Sequence, residues 1–147
     1  MTTQQYTLSI TTPHRGTFNI TREIEKLVEQ SGIQTGICHV FIQHTSASLI
    51  ITENADPTVR EDIEYWMQKT VQDGDPAYRH NYEGDDDMSG HIRTMITQNF
   101  QTIPVSNGRL NLGTWQGLFV YEHRTGRFSR KLIVTIQGEK HKILIYV

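Results

Sequence analysis

Asn107-Gly108, set between the short apolar runs Ile103–Val105 and Leu110–Leu112, dictates a tight antiparallel hairpin. The favoured two-residue hairpin turn needs positive φ at both central positions, and Asn and Gly are the residues that tolerate it. Strand-like runs recur elsewhere. Tyr6–Thr12 alternates polar and apolar residues and is closed by Pro13-His14-Arg15-Gly16. Gly36–Gln43 and Ala47–Thr52 follow, with Thr45 and Ser46 between them, and the last third adds Leu118–His123, Leu132–Gln137 and Lys142–Val147. Because side chains alternate across a strand, Cys38, Val40, Ile42 and His44 share one face, which puts His44 at the rim of the core face.

Three helices fit between these strands. Thr21 can cap the first, which runs to about Ser31 with Ile24, Leu27 and Val28 on one side, and Gly32 stops it. Asp56-Pro57 places an aspartate cap before a proline at the first helical position, and Val59, Ile63, Trp66 and Met67 supply an apolar stripe. Asp87 can cap a third helix from Met88 to about Asn99, with Met88, Ile92, Met95 and Ile96 turned inward. Gln72–Asp87 is polar, acidic and dotted with Tyr78 and Tyr82; loops beyond ~12–15 residues are usually functional or disordered. The expectation is one α+β domain over residues 1–147, with antiparallel sheets and about three helices.

Bulk composition narrows the function. Lys plus Arg total 14 against 16 Asp plus Glu, a net charge of -2, which disfavours general nucleic-acid or membrane-surface binding. The lone cysteine, Cys38, cannot form an internal disulfide and sits in an apolar segment, so it reads as a buried, inert thiol. No run approaches the ~18 apolar residues of a membrane span, and Met1-Thr2-Thr3-Gln4-Gln5 does not resemble a secretory signal, so a cytoplasmic protein is expected.

The chemistry-bearing residues sit at the ends of apolar segments: His44 in Gln43-His44-Thr45-Ser46-Ala47, His91 after Asp86-Asp87-Met88-Ser89-Gly90, and His123 after Glu122. Each has an ordinary reading, a satisfied core histidine for His44 and an exposed first-turn histidine for His91. Jointly, imidazoles backed by a carboxylate are what a transition-metal site needs, and three of them favour zinc over magnesium. Strand parity puts His123 with Tyr121 and Phe119, and Glu122 with Val120 and Leu118, so one of the two neighbours can face a given site. His14, His39, His80 and His141 have no comparable setting. Asp87 is read either as a cap or as a partner of His91 one turn on. Glu53 and Asn54 have no evident structural duty and suit acid–base or hydrogen-bonding work, whereas Asp56 reads as a cap. Gly113-Thr114-Trp115-Gln116-Gly117 is either a tight bend or a pocket wall with Gln116 lining it. Arg124, Arg127, Arg130 and Lys131 form either a solvated basic stretch or a phosphate site.

Together, His44-Thr45-Ser46-Ala47, Glu53-Asn54-Ala55-Asp56-Pro57, His91, and Gly108 with Gly113-Thr114-Trp115-Gln116 resemble the YjbQ family over nearly the whole chain. Phe100 stands where that family's pattern has serine. The resemblance implies a compact α+β homotrimer, a polar cleft built from these motifs, and a secondary thiamine-phosphate synthase activity. The resulting expectation is a metal-dependent enzyme acting on a small phosphorylated metabolite. In it His44, His91 and His123 would hold a divalent ion, zinc by preference, and Glu53, Asn54, Asp87 and Gln116 would serve the chemistry. The alternative is a non-catalytic protein that binds a metal or a small molecule; loss of turnover with retained binding in Glu53→Gln separates the two.

Overall fold

A computed structural model describes residues 1–141, so the strand expected over Lys142–Val147 lies outside the described residues. Among these residues, eight strands form two antiparallel sheets and three helices pack with them. β1 (Thr2–Thr12), β8 (Phe128–Glu139), β3 (Thr35–Ile42), β5 (Phe100–Ser106) and β6 (Arg109–Leu110) make a five-stranded sheet in that order. β2 (Gly16–Asn19), β7 (Gln116–Glu122) and β4 (Ala47–Glu53) make a three-stranded one. Asn107, at φ 53°, and Gly108, at 76°, turn β5 into β6 as the hairpin signal requires.

The main core fills the space between the sheets. Cys38, Val40 and Ile42 of β3 and Leu132, Val134 and Ile136 of β8 meet Leu49 of β4 and Leu118 and Val120 of β7. α1 (Thr21–Ser31) adds Ile24 and Val28 and stops at Gly32, whose φ of 72° is the left-handed conformation glycine adopts freely. Ile20 precedes this helix and Asn19 Oδ1 accepts the Thr21 N–H; the Thr21 hydroxyl instead serves the Leu118 backbone, so the expected cap is displaced by one residue. Gly36 and Gly138 face each other between β3 and β8, where a Cβ on Gly36 would lie 2.0 Å from the Gln137 carbonyl oxygen. Only glycine fits there.

The other face of the small sheet is covered by α2 (Pro57–Thr70) and α3 (Asp85–Ile96), through a second apolar cluster of Met67, Val71 and Tyr121. Asp56 caps α2 as its sequence predicts, accepting the Thr58 N–H at 3.0 Å. The stripe of α2 is less buried than its periodicity implies, since Trp66 is 56% exposed.

α3 departs furthest from expectation. It begins at Asp85 with Gly84 as its cap, so Asp87 lies inside the first turn and caps nothing. Its inward face carries Asp87, Ser89, Gly90 and Arg93, while Met95 is 77% exposed. Gly90 is the reason the helix rotates this way: a Cβ there would stand 3.3 Å from the Ser46 Cβ, so the backbone seats closely against the β3–β4 connection. Ser89 and Arg93 on this face then find partners outside the helix. Ser89 Oγ donates to Asp73 Oδ1 at 2.5 Å, and Arg93 Nη2 donates to the Val71 carbonyl at 3.0 Å. Burying them without such partners would cost several kcal/mol.

Candidate functional site

The first turns of α3 and the loop before it bring His80, Asp87 and His91 together, with one ligand atom from each lying within 4.8 Å of the others. Asp87 and His91 share a helix face because they are four residues apart. His80 reaches in from the loop between α2 and α3, its Nε2 donating to Asp87 Oδ2 at 2.6 Å. His91 Nδ1 lies 2.9 Å from the Thr45 carbonyl, an acceptor only, so Nδ1 carries a proton, and in the neutral ring the Nε2 lone pair is free. That lone pair faces Asp87 Oδ2 at 3.3 Å. Two acceptors pointing at one another require a positive species between them, a proton or a metal ion.

Asp87 is nearly fully buried. Burial alone would raise its carboxyl pKa. The hydrogen bond from His80 and the positive charges of His91, when its ring is protonated, and of Arg124 outweigh that, holding it below the ordinary carboxylate range. Arg124 Nη1 stands 3.5 Å from Asp87 Oδ1, leaving Oδ2 turned toward the imidazoles. Asp86 fastens the β7–β8 turn to the same helix, accepting from the Thr125 N–H at 2.7 Å and from Arg124 Nη2 at 3.2 Å.

Beside this cluster runs an open groove of about 580 Å³, which His91 and His44 both line, with Thr45, Thr94, Thr97 and Gln98. His44 and His91 therefore do share a cleft, as their motifs suggest. His44 is nonetheless outside the ligand cluster. The Lys131 N–H donates to its Nε2 at 2.8 Å, which occupies that nitrogen, and burial together with Arg130 and Lys131 lowers its pKa and keeps the ring neutral.

His123 is fully buried on the Tyr121 side of β7, the face that strand parity predicts, with Nε2 2.8 Å from Ser48 Oγ. Burial first, then Arg93, Arg15 and Arg130, depress its pKa to about 3. It is a neutral core histidine, and it does not join His80, Asp87 and His91. Glu122 faces the other way, as its parity requires, and pairs with buried Arg130. Of the basic stretch, Arg130 is thus committed to an internal ion pair and Arg124 to Asp86. Cys38 is buried, and burial raises its thiol to about 12, in keeping with an inert thiol.

The remaining candidates gather elsewhere. Ala47 pairs with Glu122 at one end of the three-stranded sheet and Glu53 with Gln116 at the other, six residues and about 20 Å away along β4. Both Glu53 carboxylate oxygens accept backbone N–H groups, from Ala55 and Asp56. Asn54 Nδ2 donates to the Thr114 and Gln116 carbonyls, and Gln116 Oε1 accepts the Gly113 N–H. These three side chains build a turn, and within one chain Glu53 is too far from His91 to move protons there. His80 is the functional candidate the sequence did not single out. No fixed spacing ties it to Asp87, and the only pointer was the length of the loop that carries it.

The family model described as UPF0047 protein YjbQ-like matches residues 6–139. The chain is 47% identical to a UPF0047 protein of Synechocystis over 92% of each chain, and 47% identical to the UPF0047 protein YjbQ of Salmonella typhimurium over 92% of this chain and 98% of that one. Its fold is similar to that of a YbjQ-like protein of unknown function from Sulfolobus solfataricus, with a TM-score of 0.83 and 28% identity over 94% of this chain and all of that one. A conserved hypothetical protein from Thermus thermophilus aligns with a TM-score of 0.80 and 31% identity over 90% and 99% of the two chains. In sequence and in fold alike, the chain belongs to the YjbQ family.

Proposed function

We infer that the protein is a metal-dependent enzyme acting on a small phosphorylated metabolite, with its centre at His80, Asp87 and His91. One observation carries this reading: the His91 Nε2 lone pair and the Asp87 carboxylate face each other at 3.3 Å, with His80 converging on the same oxygen. Two imidazole nitrogens and one carboxylate suit zinc and related borderline ions better than magnesium. The Thr45 carbonyl on His91 Nδ1 is the kind of outer partner that fixes a ligand ring's tautomer and direction. Three protein donors leave a further position open, as at catalytic rather than structural zinc sites.

A bound ion would supply Lewis acidity toward a substrate oxygen at the groove. The chain's own residues do the rest. Arg124 holds Asp87 from behind, Thr45 orients His91, and the half-buried groove gives a small polar molecule a place beside them. With Glu53 committed to its turn, His44 is the titratable group in the groove outside the cluster. The thiamine-phosphate synthase reaction implied by the family resemblance belongs to this proposal as a side activity, since a site rich in imidazole suits diphosphate chemistry less well than a carboxylate–magnesium site. Assembly as a homotrimer is also part of the proposal. Ile37, Phe41 and Phe100 lie exposed on the five-stranded sheet face turned away from the core, an apolar surface suited to self-association. A single sedimenting species of monomer mass at micromolar concentration would contradict that.

Elemental analysis of the purified protein and of the His80→Ala/His91→Ala double variant, paired with turnover on a panel of phosphorylated metabolites, tests the central claim. Metal should co-purify with the parent, and metal and turnover should both be lost in the variant. Equal metal content in the two proteins would refute it.

A further inference from the structure

His44, on the wall of the same groove, and Arg130 behind it present the opposite arrangement to His91 and Asp87. The Lys131 backbone N–H can only donate, and it donates to His44 Nε2 at 2.8 Å, so the neutral ring carries its proton on Nδ1. Facing that N–H at 3.3 Å is Arg130 Nη1, which is also only a donor. Arg130 cannot turn away. Its Nε and Nη2 are held by Glu122, Nη2 donates to Ser46 Oγ at 3.0 Å, and its guanidinium lies 4.7 Å over the Phe128 ring. Among the described residues no acceptor answers Nη1, although the side chain is only 5% exposed. A guanidinium N–H left without an acceptor on a side chain this buried is costly, and a ligand oxygen lying to one side of the contact, within hydrogen-bond reach of both nitrogens, would satisfy both.

We propose that His44 Nδ1 and, behind it, Arg130 Nη1 form a two-donor subsite that binds an anionic oxygen of the substrate, carboxylate or phosphoryl, at the wall of the groove that His44 lines. This rests on the reading of that groove as the substrate cleft, but needs no metal to be tested. The Glu122 carboxylate neutralises the Arg130 charge, so recognition comes from two directed N–H groups rather than from net charge. Lys131, next to the ring, adds the local positive field.

The test uses the full chain, ¹⁵N-labelled and stripped of metal with EDTA, with the His44 ring signals assigned by their absence in His44→Phe. The parent should show His44 as the Nδ1–H tautomer. Titration with inorganic phosphate or with acetate should shift its Nδ1 signal to saturation, and binding should be about tenfold weaker in His44→Phe. Saturation by phosphate with acetate silent assigns a phosphoryl group, and the reverse a carboxylate; either supports the subsite. An Nε2–H tautomer, or His44 signals unmoved by both anions at tens of millimolar, overturns it, and the tautomer is read on the parent whether or not the variant folds. Zinc titration on the same sample, followed at His80 and His91, separates the claims. Zinc bound with no anion response refutes this subsite alone, whereas anion bound with no zinc response supports it and removes the metal.

Discussion

Replacing Asp87 by Asn keeps the size of the side chain and removes its charge, at a position that is 3% exposed. A capping aspartate would tolerate this change, because Asn caps about equally well. Here the carboxylate is instead the shared partner of His80, at 2.6 Å, and of Arg124, at 3.5 Å. Hydrogen bonds to charged groups contribute ~1.5–3 kcal/mol, and because the His80 side chain is a third exposed the lower end applies, about 1.5 kcal/mol. At about 2–4 °C per kcal/mol for a chain of this size, Tm should fall by ~3–6 °C at neutral pH. The sign of the pH dependence follows from the depressed Asp87 pKa: the stabilisation is complete above the unfolded value of ~3.9 and is lost as pH falls through the folded one. The gap in Tm between parent and variant should therefore close below about pH 4. Scanning calorimetry from neutral pH into acid, with zinc affinity measured beside it, is the assay. Affinity should drop by ~10–100-fold or more. A variant that melts with the parent at pH 7, a gap that persists in acid, or unchanged zinc affinity would each refute the reasoning.

Other substitutions probe the frame around the site. Glu122→Gln leaves Arg130 buried beside a neutral amide and should cost ~3 kcal/mol or more, seen as an early midpoint in urea; a midpoint equal to the parent's would show the pair is dispensable. Gly36→Ala drives a Cβ into the Gln137 carbonyl and should destabilise by ~1–3 kcal/mol or more, read by thermal melting, with wild-type stability as the contrary result. Glu53→Gln should lower stability by ~1 kcal/mol through its turn while zinc affinity stays at the parent value; altered zinc binding would mean that the distance along β4 does not insulate the two ends.

Strand parity was the most dependable guide in the sequence. The alternation in β3 put Cys38, Val40 and Ile42 on the core face, and the same rule in β7 sent Glu122 and His123 to opposite sides, where the structure finds them. Asn107-Gly108, Asp56-Pro57 and Gly32 marked real turns and ends because each meets a local backbone requirement that no distant contact can change. β2 went unread, since four residues have too little pattern to register. α3 misled because its apolar spacing suggested an inward stripe, whereas Gly90 seats the other face against Ser46 and buries Asp87, Ser89 and Arg93. A helix whose inward face is polar is stable only when partners wait for it. Those partners, Asp73, Val71, Glu64 and Arg124, come from separate parts of the chain.

The site shows the same limit more sharply. Residue type and motif singled out His44, Asp87 and His91, and the structure places His44 and His91 on one groove with Asp87 beside it. Their roles were set by hydrogen-bond direction, which no spacing encodes. The Thr45 carbonyl forces the His91 proton onto Nδ1 and leaves an acceptor facing the Asp87 carboxylate, which calls for a cation. The Lys131 N–H forces the His44 proton onto Nδ1 and leaves a donor facing Arg130, which calls for an anion. In the proposed reading, two backbone groups convert chemically identical imidazoles into opposite halves of one binding site. A substrate with an anionic oxygen on the His44 side and a metal-seeking oxygen on the His91 side would satisfy both at once. A ligand offering only one of them would leave the other confrontation unrelieved, and so the groove should discriminate against it.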